Sequence, residues 1–281
     1  MHFRCLLGAA AAAAAAHPAF ADFTNNIMIT GYWPPTNEMV RQFSTNPQQN
    51  PGGWQGGNWE GRGYNIYSFF PEFPGGVGTN PRGSGDFEVD YQDTSSDWWR
   101  ITEAVKPVAI ITFSRGAGGS NWEVEYRTRN RTTWANDYAA PFQPTPSPPD
   151  SSVPPETIRF STLPMQQIVN DVNAAQLGVT AFVDSTSASL AGGFLSEFIG
   201  YHGSWYQALH GAVQDPYRCV AAGHIHVGIN TPTASAITAT EISLRALIDH
   251  VNTIVPAPSA CGPIAAGVLF VACRRRRTRP A

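Results

Sequence analysis

Five short apolar runs, separated by stretches of helical spacing, constrain this chain more than any other feature. Residues 26–30, 64–70, 108–113, 179–183 and 225–229 have strand length. Residues 108–113 are almost wholly apolar, as in a strand covered on both faces. Val124 and Tyr126, with polar residues between and around them, predict a further strand. Residues 97–105 keep helical spacing and stop before Lys106-Pro107. Pro164 suits a first helical position; the stripe Met165, Ile168, Val169 and Val172 follows it, and Gly178 ends it. Residues 194–206 and 241–254 are the remaining helices, the last with Ile242, Leu244, Leu247, Ile248 and Val251 inward. Strands alternating with helices predict an α/β fold with a mostly parallel central sheet. Residues 32–85, rich in Gly, Pro, Asn and Trp, read as long loops around one strand, and residues 141–155 as a Pro- and Ser-rich surface excursion.

The two ends differ from this middle. Residues 1–21 carry His2 and Arg4, then an alanine-rich run, then Ala19-Phe20-Ala21. These are the three parts of a secretory signal, which signal peptidase would cut before Asp22. Residues 255–281 start Val255-Pro256-Ala257-Pro258, continue through an apolar stretch between Cys261 and Cys273, and reach Arg274-Arg275-Arg276-Arg277. The apolar stretch is shorter than the roughly 20 residues of a spanning helix, and the arginines would stay on the cytoplasmic side. The order resembles the PEP-CTERM class of bacterial sorting tails, although this motif has no Glu. That resemblance implies membrane retention until an exosortase-like enzyme removes the tail; a plain anchor or a basic tail is the other reading. The expected location is the cell envelope or the exterior.

Residues 22–254 are enough for one well-cored domain. The ends hold six of the 18 basic residues and none of the 21 acidic ones. The middle therefore has 12 basic against 21 acidic residues, a net charge near −9, which excludes nucleic acid as its partner. Of four cysteines only Cys219 lies there. No internal disulfide can form, and a lone Cys is expected to be a small buried hydrophobe.

In a parallel sheet functional residues gather on loops beyond the strand C-termini. Three segments fit that rule. One carries Trp122-Glu123-Val124-Glu125-Tyr126-Arg127-Thr128-Arg129-Asn130. The next is Ser189-Leu190-Ala191-Gly192-Gly193-Phe194-Leu195-Ser196-Glu197, with Ser196 early in a helix, where the positive end of the dipole favours a developing anion. The third is Gly223-His224-Ile225-His226-Val227, whose histidines share one face of a strand. A hydroxyl at a helix start, a His and a carboxylate make an acyl-transfer set. His224 and His226 could instead chelate a metal with Asp184, His202 or His210. Trp54, Trp59, Trp98, Trp99, Trp122 and Trp134 could stack on carbohydrate, but rings of this size are expected in the core.

These segments, in this order, resemble pyroglutamyl peptidase I. Ile27-Met28-Ile29-Thr30-Gly31-Tyr32 is similar to that family's opening strand and turn, and Ser161-Thr162-Leu163-Pro164 to its Leu-Pro helix start. Ala191-Gly192-Gly193-Phe194-Leu195-Ser196-Glu197 lies on the nucleophile motif, Ile225-His226-Val227 on the histidine strand, and Glu125 with Asn130 on the glutamate motif. The resemblance implies a three-layer α/β sandwich and hydrolysis of an N-terminal pyroglutamyl-type or related amide. Ser196 would be the nucleophile, His226 the base and Glu125 its orienter, with Tyr32, Trp33, Gly192 and Phe194 around the substrate. It implies a peptide or small-amide substrate, no metal or other cofactor, and an oligomer where the insertions permit one. Three departures stand out. Ser196 replaces the family's Cys, Glu197 its Asn, and Tyr32-Trp33-Pro34-Pro35 its aromatic turn. They leave a second reading open, a catalytically inactive relative serving as a binding or structural protein of the envelope.

Overall fold

Ile, Val, Phe and small residues fill the central strands because these are covered on both faces, whereas an edge position such as Phe182 stays exposed. The computed structural model describes residues 23–185 and 192–255. The expected secretory signal, nearly all of the C-terminal tail, and Ser189-Leu190-Ala191 of the nucleophile motif lie outside the described residues. The sheet contains β1 (Asn26–Thr30), β2 (Asn65–Phe69), β5 (Ala109–Gly116), β6 (Asn121–Glu125), β9 (Thr180–Asp184) and β10 (Ala221–Gly228). Their spatial order is β2-β1-β5-β10-β6-β9. Two small ribbons lie outside it, β3 (Pro71–Glu72) with β4 (Ser84–Gly85) and β7 (Arg127–Arg129) with β8 (Ile158–Phe160).

Strands β2, β1, β5 and β10 are mutually parallel. Strand β6 meets β10 antiparallel and β9 follows β6 in parallel, so the last two strands run against the other four. Helices α2 (Tyr91–Val105) and α4 (Leu195–His210) cover one face, packing on Met28, Ile110 and Ala222. Helices α1 (Thr36–Val40), α3 (Met165–Ala174) and α5 (Thr233–Ile254) cover the other, over Ile27, Ile29, Ile111, Phe113 and Ile225. This is the expected three-layer α/β sandwich.

Several elements begin earlier than the apolar pattern predicts. Helix α2 starts at Tyr91 rather than residue 97, because the Asp90 carboxylate caps it by accepting the backbone N–H groups of Gln92 and Asp93. Its first turns are polar and leave no stripe. Helix α5 starts at Thr233 on a run of small residues, not at Glu241. Strand β10 starts at Ala221, four residues before the expected edge, and ends at Gly228 rather than Ile229. Its early residues are small because a neighbour crosses closely: a Cβ on Gly223 would sit 2.4 Å from Ser161 Oγ. Residues 32–85 hold α1 and the β3–β4 ribbon besides the expected strand.

Candidate active site

Along the α2–α4 face, the two central strands change from apolar to polar toward their C-terminal ends. Ile110 and Ala222 are fully packed, next come Thr112 and His224, and then Ser114 and His226, each pair in register on β5 and β10. His224 is buried, and both its ring nitrogens are taken, Nδ1 with Thr112 Oγ1 and Nε2 with Ser114 Oγ, at 2.8 Å each. Burial drives its pKa well below the usual histidine value, and His226 adds to this. His224 is therefore a neutral support. Helix α4 rests directly on it, since a Cβ at Gly200 would lie 3.1 Å from its ring.

His226 is the next residue on that face. Its Nδ1–H donates to Glu125 Oε1 at 2.6 Å. Glu125 stands on β6 opposite the level of His224, so the contact is a diagonal across the antiparallel β6–β10 pair. Burial alone would lower the His226 pKa. The hydrogen bond and charge of Glu125, with Glu123 and Glu197 adding, reverse that and hold it raised. With Nδ1–H bound to the carboxylate, Nε2 remains as the basic position.

His226 and Glu125 open on a cavity of about 220 Å³ shared with Arg115, Glu123, Gly192, Phe194 and Ser196. Ser196 is the second residue of α4, in the first turn, whose backbone N–H groups lack intrahelical partners. Among the described residues its hydroxyl has no hydrogen-bond partner, His226 included. The structure thus brings Ser196, His226 and Glu125 to one cavity, joins the second to the third, and leaves the first unjoined. Nucleophile–base contacts are often long in a resting site and tighten around substrate.

Gly192 and Phe194, placed around the substrate by the resemblance, line the cavity. Tyr32 and Trp33 do not. They border a second hollow of only about 10 Å³, shared with Arg115, Phe194 and Ser196, about room for one water. Tyr32 is buried with its hydroxyl against Thr94 Oγ1 at 2.6 Å.

Glu125 lies on a strand that runs against its neighbour, not on a loop beyond a parallel strand, because β6 turns back beside β10. The His-x-His metal pairing also fails, since both His224 nitrogens are occupied. Asp184 does border the cavity. His202 is enclosed by aromatic rings, with Phe198 4.4 Å away between centroids, and burial lowers its pKa to about 4. His210 pairs with Asp215. Among the described residues the groups spaced to hold a metal ion are Glu123, Glu125 and His226, with ligand atoms within 4.8 Å of one another. Cys219 is fully buried, and burial pushes its thiol pKa far up, as a structural cysteine requires. Of the six tryptophans considered for carbohydrate stacking, Trp59, Trp98, Trp122 and Trp134 are core residues.

Two residues went unrecognised as site groups by motif reading. Glu123 faces the cavity beside His226, its register partner; burial raises its pKa. Arg115 is the penultimate residue of β5. The β5–β10 register, which aligns Arg115 with Val227, could have found it only once the strands were paired. Glu197 is buried next to Ser196 and accepts the Arg129 backbone N–H at 2.6 Å. Burial pushes its pKa up to about 7 despite that bond.

No protein-family model and no curated protein matches the sequence. Solved structures do match. The chain is similar to the pyrrolidone carboxyl peptidase of Thermococcus litoralis, with 18% identity and a TM-score of 0.55, covering 83% of this chain and 97% of that one. It is similar also to a point variant of the pyrrolidone carboxyl peptidase of Pyrococcus furiosus, with 16% identity and a TM-score of 0.55, covering 80% and 99%. At these identities the likeness shows the fold, and the fold is that of the pyroglutamyl peptidases.

Proposed function

We propose that this protein is an amide hydrolase of the pyroglutamyl-peptidase fold acting on a peptide or small amide. Ser196 is the nucleophile, His226 the general base and Glu125 the group that orients it. The observation that carries this reading is the 2.6 Å His226–Glu125 bond on the wall of the cavity that Ser196 also lines. Ser196 Oγ attacks the scissile carbonyl carbon and gives its proton to His226 Nε2. The oxyanion that forms faces the unpaired N–H groups of the first turn of α4. Collapse breaks the C–N bond, and the His226 proton leaves on the amine. Water, deprotonated by His226, then releases the acyl group. A serine needs this base more than a thiol would, because its hydroxyl is scarcely ionised. The nearly filled hollow beside Tyr32 and Trp33 argues against a rigid pocket for a pyroglutamyl ring.

The test is labelling of the purified protein by a fluorophosphonate probe. Labelling that disappears in Ser196→Ala is expected. An unlabelled wild-type protein would favour the second reading, a non-catalytic envelope protein, which the unengaged Ser196 hydroxyl supports. The ends extend the proposal to an exported protein cut after Ala21, with the C-terminal tail as a membrane-retention signal. N-terminal sequencing of the mature protein should begin at Asp22; a retained Met1 argues against export by this route.

A further inference from the structure

The arginines of this acidic domain are mostly matched to carboxylates. Arg41 pairs with Glu38 and Glu72, Arg100 with Asp86 and Asp97, Arg159 with Asp150, and Arg245 with Glu60 and Glu241. Arg115 is different. Among the described residues its guanidinium makes no ion pair and no hydrogen bond, although the residue is half-buried and borders both hollows at Ser196. Its guanidinium lies over the Trp33 ring, 4.4 Å from the centroid. Trp33 is itself held, its Nε1–H donating to Pro81 O at 2.7 Å and its ring flanked by Tyr138 and Phe194.

A guanidinium stacked on an aromatic face keeps its in-plane N–H edge free for a planar, bidentate acceptor. Leaving that edge half-desolvated with no counter-ion is unfavourable unless a ligand supplies one. Desolvation already lowers the Arg115 pKa from its ordinary value, and among the described residues it is Tyr138, not a carboxylate, that partly opposes this. The acidic groups of the cavity are otherwise engaged. Glu125 is bound to His226, and Glu123 accepts from Asn121 while burial raises its pKa. Those carboxylates would repel a dianion more than a monoanion, so a phosphate fits less well than a carboxylate.

We infer that Arg115 is the anion-recognition residue of this cavity, and that the molecule bound there is a small amide carrying a carboxylate a few bonds from the scissile carbonyl. This rests on the hydrolase reading for the word scissile, whereas the recognition of a carboxylate does not. Arg115 then sets specificity, and Trp33 is the platform that aims it.

Isothermal titration of the full chain with glutaramate, the monoanionic half-amide of glutaric acid, and with glutaramide, its neutral isostere, tests the inference. Glutaramate is expected to bind about tenfold or more tightly than glutaramide, the scale of a lost charge-assisted hydrogen bond. Arg115→Gln should remove the preference, and Arg115→Lys should keep part of it, with circular dichroism checking the fold of each. Equal binding of the two ligands by the wild-type protein, or no glutaramate binding, overturns the inference whatever the variants do. Glutaramate binding that survives Arg115→Gln also overturns it, because the anion is then held elsewhere, the terminal arginines included. Ser196→Ala should retain the preference. A preserved preference without fluorophosphonate labelling removes the hydrolase reading and leaves Arg115 its role; labelling without a preference does the reverse.

Discussion

The working atom of the proposed site is His226 Nε2, and its basicity is a contest between two influences. Burial disfavours the imidazolium, and the Glu125 carboxylate at 2.6 Å favours it. The carboxylate, helped by Glu123 and Glu197, prevails, so the folded pKa is raised above the ordinary value of about 6.5. A general base works unprotonated. The acid limb of the kcat/KM profile is therefore expected above about pH 6.5. Glu125→Gln removes the charge that prevails and leaves the burial that opposes it, so the limb should move to lower pH. The rate should also fall by about 10²- to 10⁴-fold, since the ring loses its orienter. A pH–rate profile of the variant checks both, and an unmoved limb would show that Glu125 does not set the charge of His226.

At the scale of the element, helix α4 does two things with one turn. It presents Ser196 at its N-terminal end and buries Glu197 beneath it, where the family-like motif has an amide. The Glu197 carboxyl has a folded pKa of about 7 against 4.5 as its unperturbed value, burial being the main cause. A raised carboxyl pKa means that the folded state holds its proton longer than the unfolded chain does. Its stabilising contribution is complete below about pH 4.5 and is lost as pH rises to about 7. The loss amounts to roughly 3 kcal/mol at most. Glu197→Gln, which keeps an acceptor for the Arg129 N–H, should flatten this component. Urea unfolding at pH 5 and pH 8 is expected to show a smaller difference for the variant than for the wild type. An equal difference would mean that the carboxylate is solvated despite its burial.

At the scale of the whole molecule, the excursion over residues 141–155 lies mostly on the surface, as its composition predicts, but it is pinned. Asp150 is buried and accepts from Arg159 Nη2 at 2.8 Å, from Tyr201 OH at 3.1 Å and from the Ser152 N–H at 3.0 Å. Its backbone exchanges hydrogen bonds with the Asn130 side chain. The excursion is thereby tied to β8 and to α4, the helix that carries Ser196. Asp150→Ala leaves Arg159 without its partner at a site that is only 17% exposed. Stability should fall by about 3 kcal/mol, the low end for breaking a buried pair. Urea unfolding measures that loss, and a change below about 0.5 kcal/mol, the size of an ordinary surface substitution, would mean that the excursion is not anchored there. The alternation of apolar runs and helical stripes determined the layers and most elements, because hydrophobic periodicity is a local property of the chain; the lone cysteine pointed to burial of Cys219, and the resemblance to pyroglutamyl peptidase I implied the pairing of His226 with Glu125. Element starts at Tyr91, Ala221 and Thr233 escaped the periodicity, since caps such as Asp90 and small residues carry no apolar signal. Only the tertiary structure decided that both His224 nitrogens are spent, that Tyr32 and Trp33 border a nearly filled hollow, and that Arg115 stands over Trp33 with no counter-ion among the described residues. Those facts depend on strand register and on which side chains a neighbouring element leaves unpaired, and residues 82 positions apart, such as Trp33 and Arg115, exchange no information until the sheet has formed.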